Sequence, residues 1–351
     1  MDFIHKKINK MDQLIKVMIA GIGGASLGTE IYKSLKLAKI YDVFGCDISA
    51  TAYGIYENGF SDTYHISSGN YAKNVLDVCV DAGVKWLIPG GEQPMQLLGQ
   101  ETEMFAAANI HVLANSPDLI SICSNKKLTF SKLAELGISI PKTIPIQTKS
   151  DLDYIGLPCI IKPSTGTGGS VSVFFAVSVE EAMVYAEFIK RNGSEPIAQE
   201  YIDIDEGEFT IGVLSLPNQK TVGSIALKRE LSAKLSVAYR GRGGIVSSGY
   251  SQGYIGEYPE LCKQAEDIAK ALNSAGPINI QARVRNGLLM PFEINPRFSA
   301  STYLRAMAGF NEVDIMLRYL ALQIEPQKPL VQTGWYLRSL TEQYVSEEVL
   351  R

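Results

Sequence analysis

The chain has 351 residues and a mass of 38.4 kDa, a length that predicts two or three domains with a substantial apolar core. Its 46% apolar and 20% charged residues are ordinary globular values and exclude disorder of the whole chain. Thirty-three Lys and Arg against 37 Asp and Glu give a net charge of −4, which argues against a basic nucleic-acid-binding face.

Residues 1–14 are basic but lack the apolar stretch of a secretory signal, and are expected to form a leader before the first strand; Met11 is an alternative start. Residues 15–20 (IKVMIA) read as a buried strand that enters a Gly-rich turn. Leu27 to Lys39 has helical spacing, and Tyr41 to Cys46 reads as a second strand ending at Asp47. A helix near 71–82, a strand at 85–88, the turn Pro89-Gly90-Gly91-Glu92, a helix over 94–108 and a strand at 110–114 follow. Strands alternating with helices predict a doubly wound parallel sheet. A helical segment at 116–136 ends at Gly137. Leu157 to Lys162 is a strand that runs into Thr165-Gly166-Thr167-Gly168-Gly169-Ser170 and then a second strand, 171–177. A helix over 179–191 and a strand or linker over 196–202 come next. Residues 208–216 and 221–228 read as an antiparallel pair, and the Gly-, Ser- and Tyr-rich residues 239–256 as a mobile loop. A helix over 258–274 leads to strands 278–285 and 288–294, joined by Asn286-Gly287, a strong hairpin signal. Helices near 300–308 and 311–322 follow. The tail from about 325 is expected to be a small added strand or helix, or a partner contact.

Five cysteines (Cys46, Cys79, Cys123, Cys159, Cys262) without a CxxC spacing read as reduced thiols of a cytoplasmic protein, not a disulfide framework or zinc site. No run of 18 apolar residues suggests a membrane span. The three histidines (His5, His65, His111) all precede residue 112, so chemistry in the last two thirds must proceed without one.

Two motifs mislead on their own. Gly21-Ile22-Gly23-Gly24-Ala25-Ser26, with Asp47 at the end of the second strand, resembles a dinucleotide loop, but its third glycine position is Ser26. Gly249-Tyr250-Ser251-Gln252-Gly253 matches a serine-hydrolase elbow, yet no histidine follows it. The second glycine loop carries more. Lys162 closes an apolar strand, and glycine backbone beyond it can approach phosphate oxygens closely. In Glu293-Ile294-Asn295-Pro296-Arg297, residues 293 and 295 share one face of a strand. A carboxylate and an amide oxygen there suit Mg²⁺, Gln281 on the partner strand offers a third oxygen, and Arg297 would offset phosphate charge. Together these describe an ATP·Mg²⁺ site.

This order of motifs, with Lys126, Gln199-Glu200-Tyr201-Ile202 and Glu208 between them, resembles the ATP-grasp superfamily, and most of all one synthetase unit of the carbamoyl-phosphate synthase large subunit. The likeness covers about residues 16–322. It implies an α/β (α+β ATP-grasp) fold: leader 1–14, Rossmann-like domain 15–115, helical linker and lid 116–202, antiparallel catalytic subdomain 203–325 and tail 326–351. It further implies that Lys126 and Lys162 contact ATP phosphates and that Gly166, Gly168 and Gly169 lie in the covering loop. Glu200, Tyr201 and Ile202 would line the adenine hinge, and Glu208 would hold the ribose. Glu293, Asn295 and Gln281 would bind Mg²⁺, with Gln281 where most members have a second acid, and Arg297 would stabilise the transferred phosphoryl group. The chain has one unit and no glutaminase, so the likeness predicts a stand-alone relative with its own substrate.

The expected activity is therefore that of an ATP- and Mg-dependent carboxylate–amine ligase acting through an acyl phosphate on small molecules. A homodimer is among the expectations, since dimers are common in that family. Arg283 shares strand parity with Gln281 and is expected to clamp the substrate carboxylate; Glu92 is a further candidate for the amine. The alternatives are an NAD(P)-dependent oxidoreductase using the first glycine loop and a non-catalytic ATP-binding sensor.

Overall fold

The computed structural model describes residues 14–24, 27–166 and 172–350. In chain order they form β1 (Ile15–Ala20), α1 (Leu27–Ala38), β2 (Tyr41–Asp47), β3 (Asp62–His65), α2 (Tyr71–Asp81), β4 (Trp86–Pro89), α3 (Glu92–Gly99), α4 (Thr102–Ala107), β5 (His111–Val112), α5 (Pro117–Ser124), α6 (Lys126–Glu135), β6 (Thr143–Pro145), α7 (Asp151–Ile155), β7 (Cys159–Pro163), β8 (Phe174–Ala176), α8 (Val179–Arg191) and β9 (Pro196–Glu200). These are followed by β10 (Glu208–Ser215), β11 (Thr221–Arg229), β12 (Val237–Gly241), β13 (Gly244–Ser247), β14 (Gly253–Ile255), α9 (Pro259–Ala271), β15 (Pro277–Arg285), β16 (Leu288–Asn295), α10 (Thr302–Met307), α11 (Glu312–Leu322) and β17 (Gly334–Tyr336).

The chain divides into two compact units. One comprises the chain up to Asn115, Arg297–Val331 and the segment from Ser339; the other comprises Ser116–Pro296 and Gln332–Arg338. In the first, a five-stranded sheet of order β3-β2-β1-β4-β5 is parallel throughout. Its core combines Met18, Phe44, Leu87 and Leu98 with Val75, Cys79 and Phe105 from the helices. The strand order reverses between β1 and β4, and there the glycine turn brings helix and strand together. A Cβ on Gly28 would sit 1.9 Å from the Gly21 carbonyl oxygen, so only glycine fits. α10 and α11 both pack on α1.

In the second unit, an antiparallel sheet of order β16-β15-β10-β11-β14-β17 follows period-2 logic, with register shifts after Leu214 and between Gln281 and Ala282. Phe209, Ile211 and Val213 of β10, Ile278, Ile280, Ala282 and Val284 of β15, and Ile294 of β16 pack under α5, α6 and α9. The alternate residues, Glu208, Thr210, Asn279, Gln281, Arg283, Glu293 and Asn295, therefore take the opposite face. A smaller antiparallel sheet, β6-β9-β7-β8, packs Cys159, Ile161, Ala176 and Ala198 against α7 and α8.

The structure departs from the sequence expectations at several elements. The helix expected over 94–108 is two, broken at Gln100 and Glu101. The segment expected over 116–136 is also two helices. Asn125 between them is extended, its side chain accepts from the Leu128 N–H, and its backbone bridges Thr165. β3, β6 and α7 are not anticipated from the sequence; all are short, β3 and β6 are edge strands, and β3 is largely polar. Residues 239–256, expected to be a mobile loop, instead form the β12–β13 hairpin, turned by Arg242 and Gly243 in left-handed conformations, and the strand β14. The strand expected over 171–177 is Phe174–Ala176, residue 171 lying outside the described residues. The Asn286-Gly287 hairpin is observed, with φ of +53° and +72°. The tail supplies β17, which pairs with β14. Among the described residues no helix is long and apolar enough to cross a membrane.

Candidate nucleotide and metal site

A pocket within the second unit is lined by residues from both of its larger sheets. β7 supplies Ile160 and Lys162, whose parity is opposite to that of the core residues Cys159 and Ile161. β9 and the residues after it supply Gln199, Glu200, Tyr201 and Ile202; the polar sheet face supplies Glu208, Arg283 and Glu293; Ile245, Val246 and Ser247 of β13 and Lys126 at the start of α6 complete the wall. Lys126, Lys162, Glu200, Tyr201, Ile202, Glu208, Arg283 and Glu293 thus come together, although the sequence separates the first from the last by more than 160 positions. Gly166 lies just beyond β7 with φ of +140°, a conformation that favours glycine. Gly168 and Gly169 lie outside the described residues.

Lys162 is buried, and its ammonium donates to Gln199 Oε1 at 2.8 Å and to the Phe292 carbonyl at 2.9 Å. It also lies 5.2 Å from the centre of the Phe130 ring. Burial, and secondarily the Lys126 charge, lower its pKa from the ordinary 10.5 to about 7, with Glu293 opposing the shift. A cation held in this way is ready for an incoming polyanion, which would restore the favourable field it lacks.

Glu208 occupies a buried electrostatic centre. Its Oε2 accepts from Arg283 Nε at 2.9 Å, and its Oε1 stands 3.4 Å from Arg229 Nη1. Arg283 donates further to the carbonyls of Ile202 and Ile245, both at 2.6 Å, and lies over the Tyr201 ring at 4.7 Å. Its shared parity with Gln281 therefore agrees with the structure, but its donors hold Glu208, the hinge and β13. Tyr201 packs edge-on against Phe175 and its hydroxyl accepts from the Ile245 N–H at 3.0 Å. Glu200 faces Arg285 at 2.5 Å and accepts from the Lys142 N–H at 3.1 Å.

Gln281 pairs in register with Glu293 and donates to its Oε2 at 2.7 Å. Asn295, buried two residues further along β16, has an Nδ2 without a hydrogen-bond partner among the described residues. Among the described residues no group of three or more His, Cys, Asp or Glu forms a metal site. Gln281 turns its Nε2 toward Glu293 and its Oε1 toward Arg229, whereas the Glu293 carboxylate with the Asn295 amide suits Mg²⁺, which takes few protein ligands and completes its shell with water and phosphate oxygens. The donor set therefore fits that ion.

Arg297 belongs to the first unit, where its Nη2 pairs with Glu92 Oε2 at 3.3 Å and its Nη1 donates to the Phe298 carbonyl. Glu92 opens α3 and is thus engaged by an arginine. In the same unit, the strand-order reversal holds a separate crevice lined by Gly21, Gly23, Asp47, Tyr71, Gly90 and Gln93. Asp47 uses one oxygen to accept from the Ile22 N–H at 2.8 Å and the other from Ser49 at 2.9 Å.

The roles of two residues are not legible in the sequence. Gln199 is the buried acceptor for Lys162; its position opposite Ile160 across β7–β9 is visible only from strand register. Arg229 carries no motif, yet it is buried. Its shared strand parity with the buried Leu227 and Ile225 was the available signal.

The model of the ATP-grasp domain matches residues 123–301, just over half of the chain. Carbamoyl phosphate synthase large chain of Buchnera aphidicola is 22% identical over 305 residues, covering 82% of this chain and 26% of that protein. An uncharacterised protein of Methanocaldococcus jannaschii is 38% identical over 96 residues, 26% of this chain and 24% of that one. The chain spans about a quarter of the length of these curated relatives. Among solved structures, biotin carboxylase of Campylobacter jejuni superposes with a TM-score of 0.68 at 14% identity, covering 90% of this chain and 74% of that one. L-amino acid ligase of Bacillus licheniformis gives 0.62 at 16% identity, covering 92% and 76%. At these identities the structural likeness concerns the fold.

Proposed function

The chain belongs to the ATP-grasp family, whose members are ATP-dependent ligases, and from that membership we propose that it joins a small-molecule carboxylate to an amine with release of ADP and phosphate. In this reading the substrate carboxylate takes the γ-phosphoryl group to give an acyl phosphate, which the amine then attacks. The observation that carries the reading is the convergence of Lys126, Lys162, Glu208 and Glu293 on one pocket with the Glu200–Ile202 hinge.

Lys162 and Lys126 bind the polyphosphate, where positioning and electrostatics supply most of the acceleration in phosphoryl transfer. Glu200, Tyr201 and Ile202 hold the base, and Glu208, fixed by Arg283, presents its carboxylate to the ribose. Glu293 and Asn295 would hold Mg²⁺, which when bound offsets charge on the transferring group, and Gln281 would orient Glu293 by donating to it. Arg283 acts by holding Glu208 and the hinge.

The test is ADP release from MgATP against pooled carboxylates, with hydroxylamine as the trap. The expected result is hydroxamate that depends on one pool and is lost in Glu293→Ala and Lys162→Met, both of which still fold. Nucleotide binding with no ADP or hydroxamate from any pool would favour a sensing module. Absence of ATP binding would overturn the reading and make NAD(P) the next ligand to test.

A further inference from the structure

We propose that Arg229 is a positioning residue that fixes one wall of the nucleotide pocket and one partner of Glu293, without itself touching the nucleotide. The proposal rests on the ATP-binding reading above and adds a residue to it. Arg229 ends β11 on the polar sheet face and is buried. One terminal nitrogen, Nη2, reaches three main-chain carbonyls beyond its own strand: Ser236 at 3.3 Å, Ser248 at 2.8 Å and Tyr250 at 2.7 Å. These carbonyls bracket the β12–β13 hairpin at both ends. The other, Nη1, faces inward, 3.4 Å from Glu208 Oε1 and 3.5 Å from Gln281 Oε1.

Each side of the guanidinium therefore has a distinct consequence. On the Nη2 side, the hairpin carries Ile245, Val246 and Ser247, which line the pocket, so anchoring its two ends fixes that wall. On the Nη1 side, attraction of the Gln281 oxygen turns its amide so that Nε2 donates to Glu293 at 2.7 Å. Burial lowers the Arg229 pKa from its usual value, opposed by the carboxylates of Glu208 and Glu293, but arginine keeps its charge. A lysine has the charge but not the planar fork, so it cannot serve carbonyls on one side and two side chains on the other.

The experiment uses the full-length chain as wild type, Arg229→Lys and Arg229→Met, with hydrogen exchange read by peptide and ATP affinity read with and without Mg²⁺. Loss of a buried charged hydrogen-bond set should weaken nucleotide binding by about tenfold or more in both variants. Exchange should rise in peptides spanning 236–250 while the β10 and β15 peptides stay protected, and saturating MgATP should restore protection. Unchanged exchange over 236–250 in Arg229→Lys would overturn the proposal, as would wild-type affinity. So would exchange that rises uniformly, since a merely structural role predicts general loosening. If the wild-type chain binds no ATP, the functional reading fails on its own, and the nucleotide-free exchange comparison still decides whether Arg229 anchors the hairpin.

Discussion

Lys162 makes nucleotide binding depend on pH in a way that can be worked from its surroundings. Its pKa of about 7 in the free protein reflects burial beside the Lys126 charge. A polyphosphate brought next to the ammonium would stabilise the charged form and return the pKa toward the ordinary lysine range. At pH 8 a group with a pKa of 7 holds about 0.1 proton, so binding should take up about 0.9 proton per nucleotide. Affinity should then fall by about fivefold from pH 7 to 8 and by about tenfold from pH 8 to 9. Calorimetry in buffers of different ionisation enthalpy measures the uptake directly, and Lys162→Met should abolish it. Uptake near zero at pH 8 in the wild type, or uptake that persists in Lys162→Met, would refute the assignment. The same lysine affects folding without nucleotide. Because its folded pKa lies below that of the unfolded chain, the unfolded state holds the extra proton between about pH 7 and 10.5. This contribution to stability is therefore least below pH 7, where the buried charge is fully present, and rises across that window. The gain is at most about 5 kcal/mol at 1.36 kcal/mol per pH unit, and comparison with Lys162→Met isolates it from other titrating groups.

Glu208→Ala should cost about 3–5 kcal/mol in urea unfolding, because it leaves Arg229 and Arg283 buried without their carboxylate; a loss below about 1 kcal/mol would contradict that account. Gly28→Ala should destabilise by about 1–3 kcal/mol, since the new methyl meets the Gly21 carbonyl; a thermal midpoint equal to wild type would show that the turn can relax at no cost. Thiol labelling of the native protein should reach Cys262 first, with Cys46, Cys79, Cys123 and Cys159 reacting only on unfolding. Burial raises the pKa of Cys79 to about 12 and of Cys159 to about 11, so fast native labelling of either would place it nearer the surface than described.

The periodicities of the sequence reached far into this fold because the antiparallel sheets pack one alternating set of positions against helices, while the parallel β1 and β2 read as continuous apolar runs buried on both faces. The alternation in residues 277–295 separates Ile278, Ile280 and Ala282 from Asn279, Gln281 and Arg283, and the structure puts the first group under helices and the second on the opposite face. The parallel order of the first sheet was likewise readable from strands alternating with helices. Where local signals conflicted, tertiary pairing decided. The glycine-rich residues 239–256 carry turn signals, yet the Arg242-Gly243 turn and the edge of β11 convert them into strands. Asn125 breaks a continuous helical pattern because its backbone finds a partner at Thr165.

By itself the sequence determined the family-like order of motifs, the parity of Glu293 and Asn295, and the position of Lys162 at the end of a buried strand. Only the tertiary structure decided which charges neutralise which. Strand register sets Gln281 opposite Glu293, Gln199 opposite Ile160 and Arg283 opposite Glu208. Arg229 shows the limit most plainly. A linear chain gives a cation no partner, whereas burial gives the two terminal nitrogens of this one a carboxylate, an amide and three carbonyls, because a guanidinium removed from water is costly unless the protein supplies acceptors.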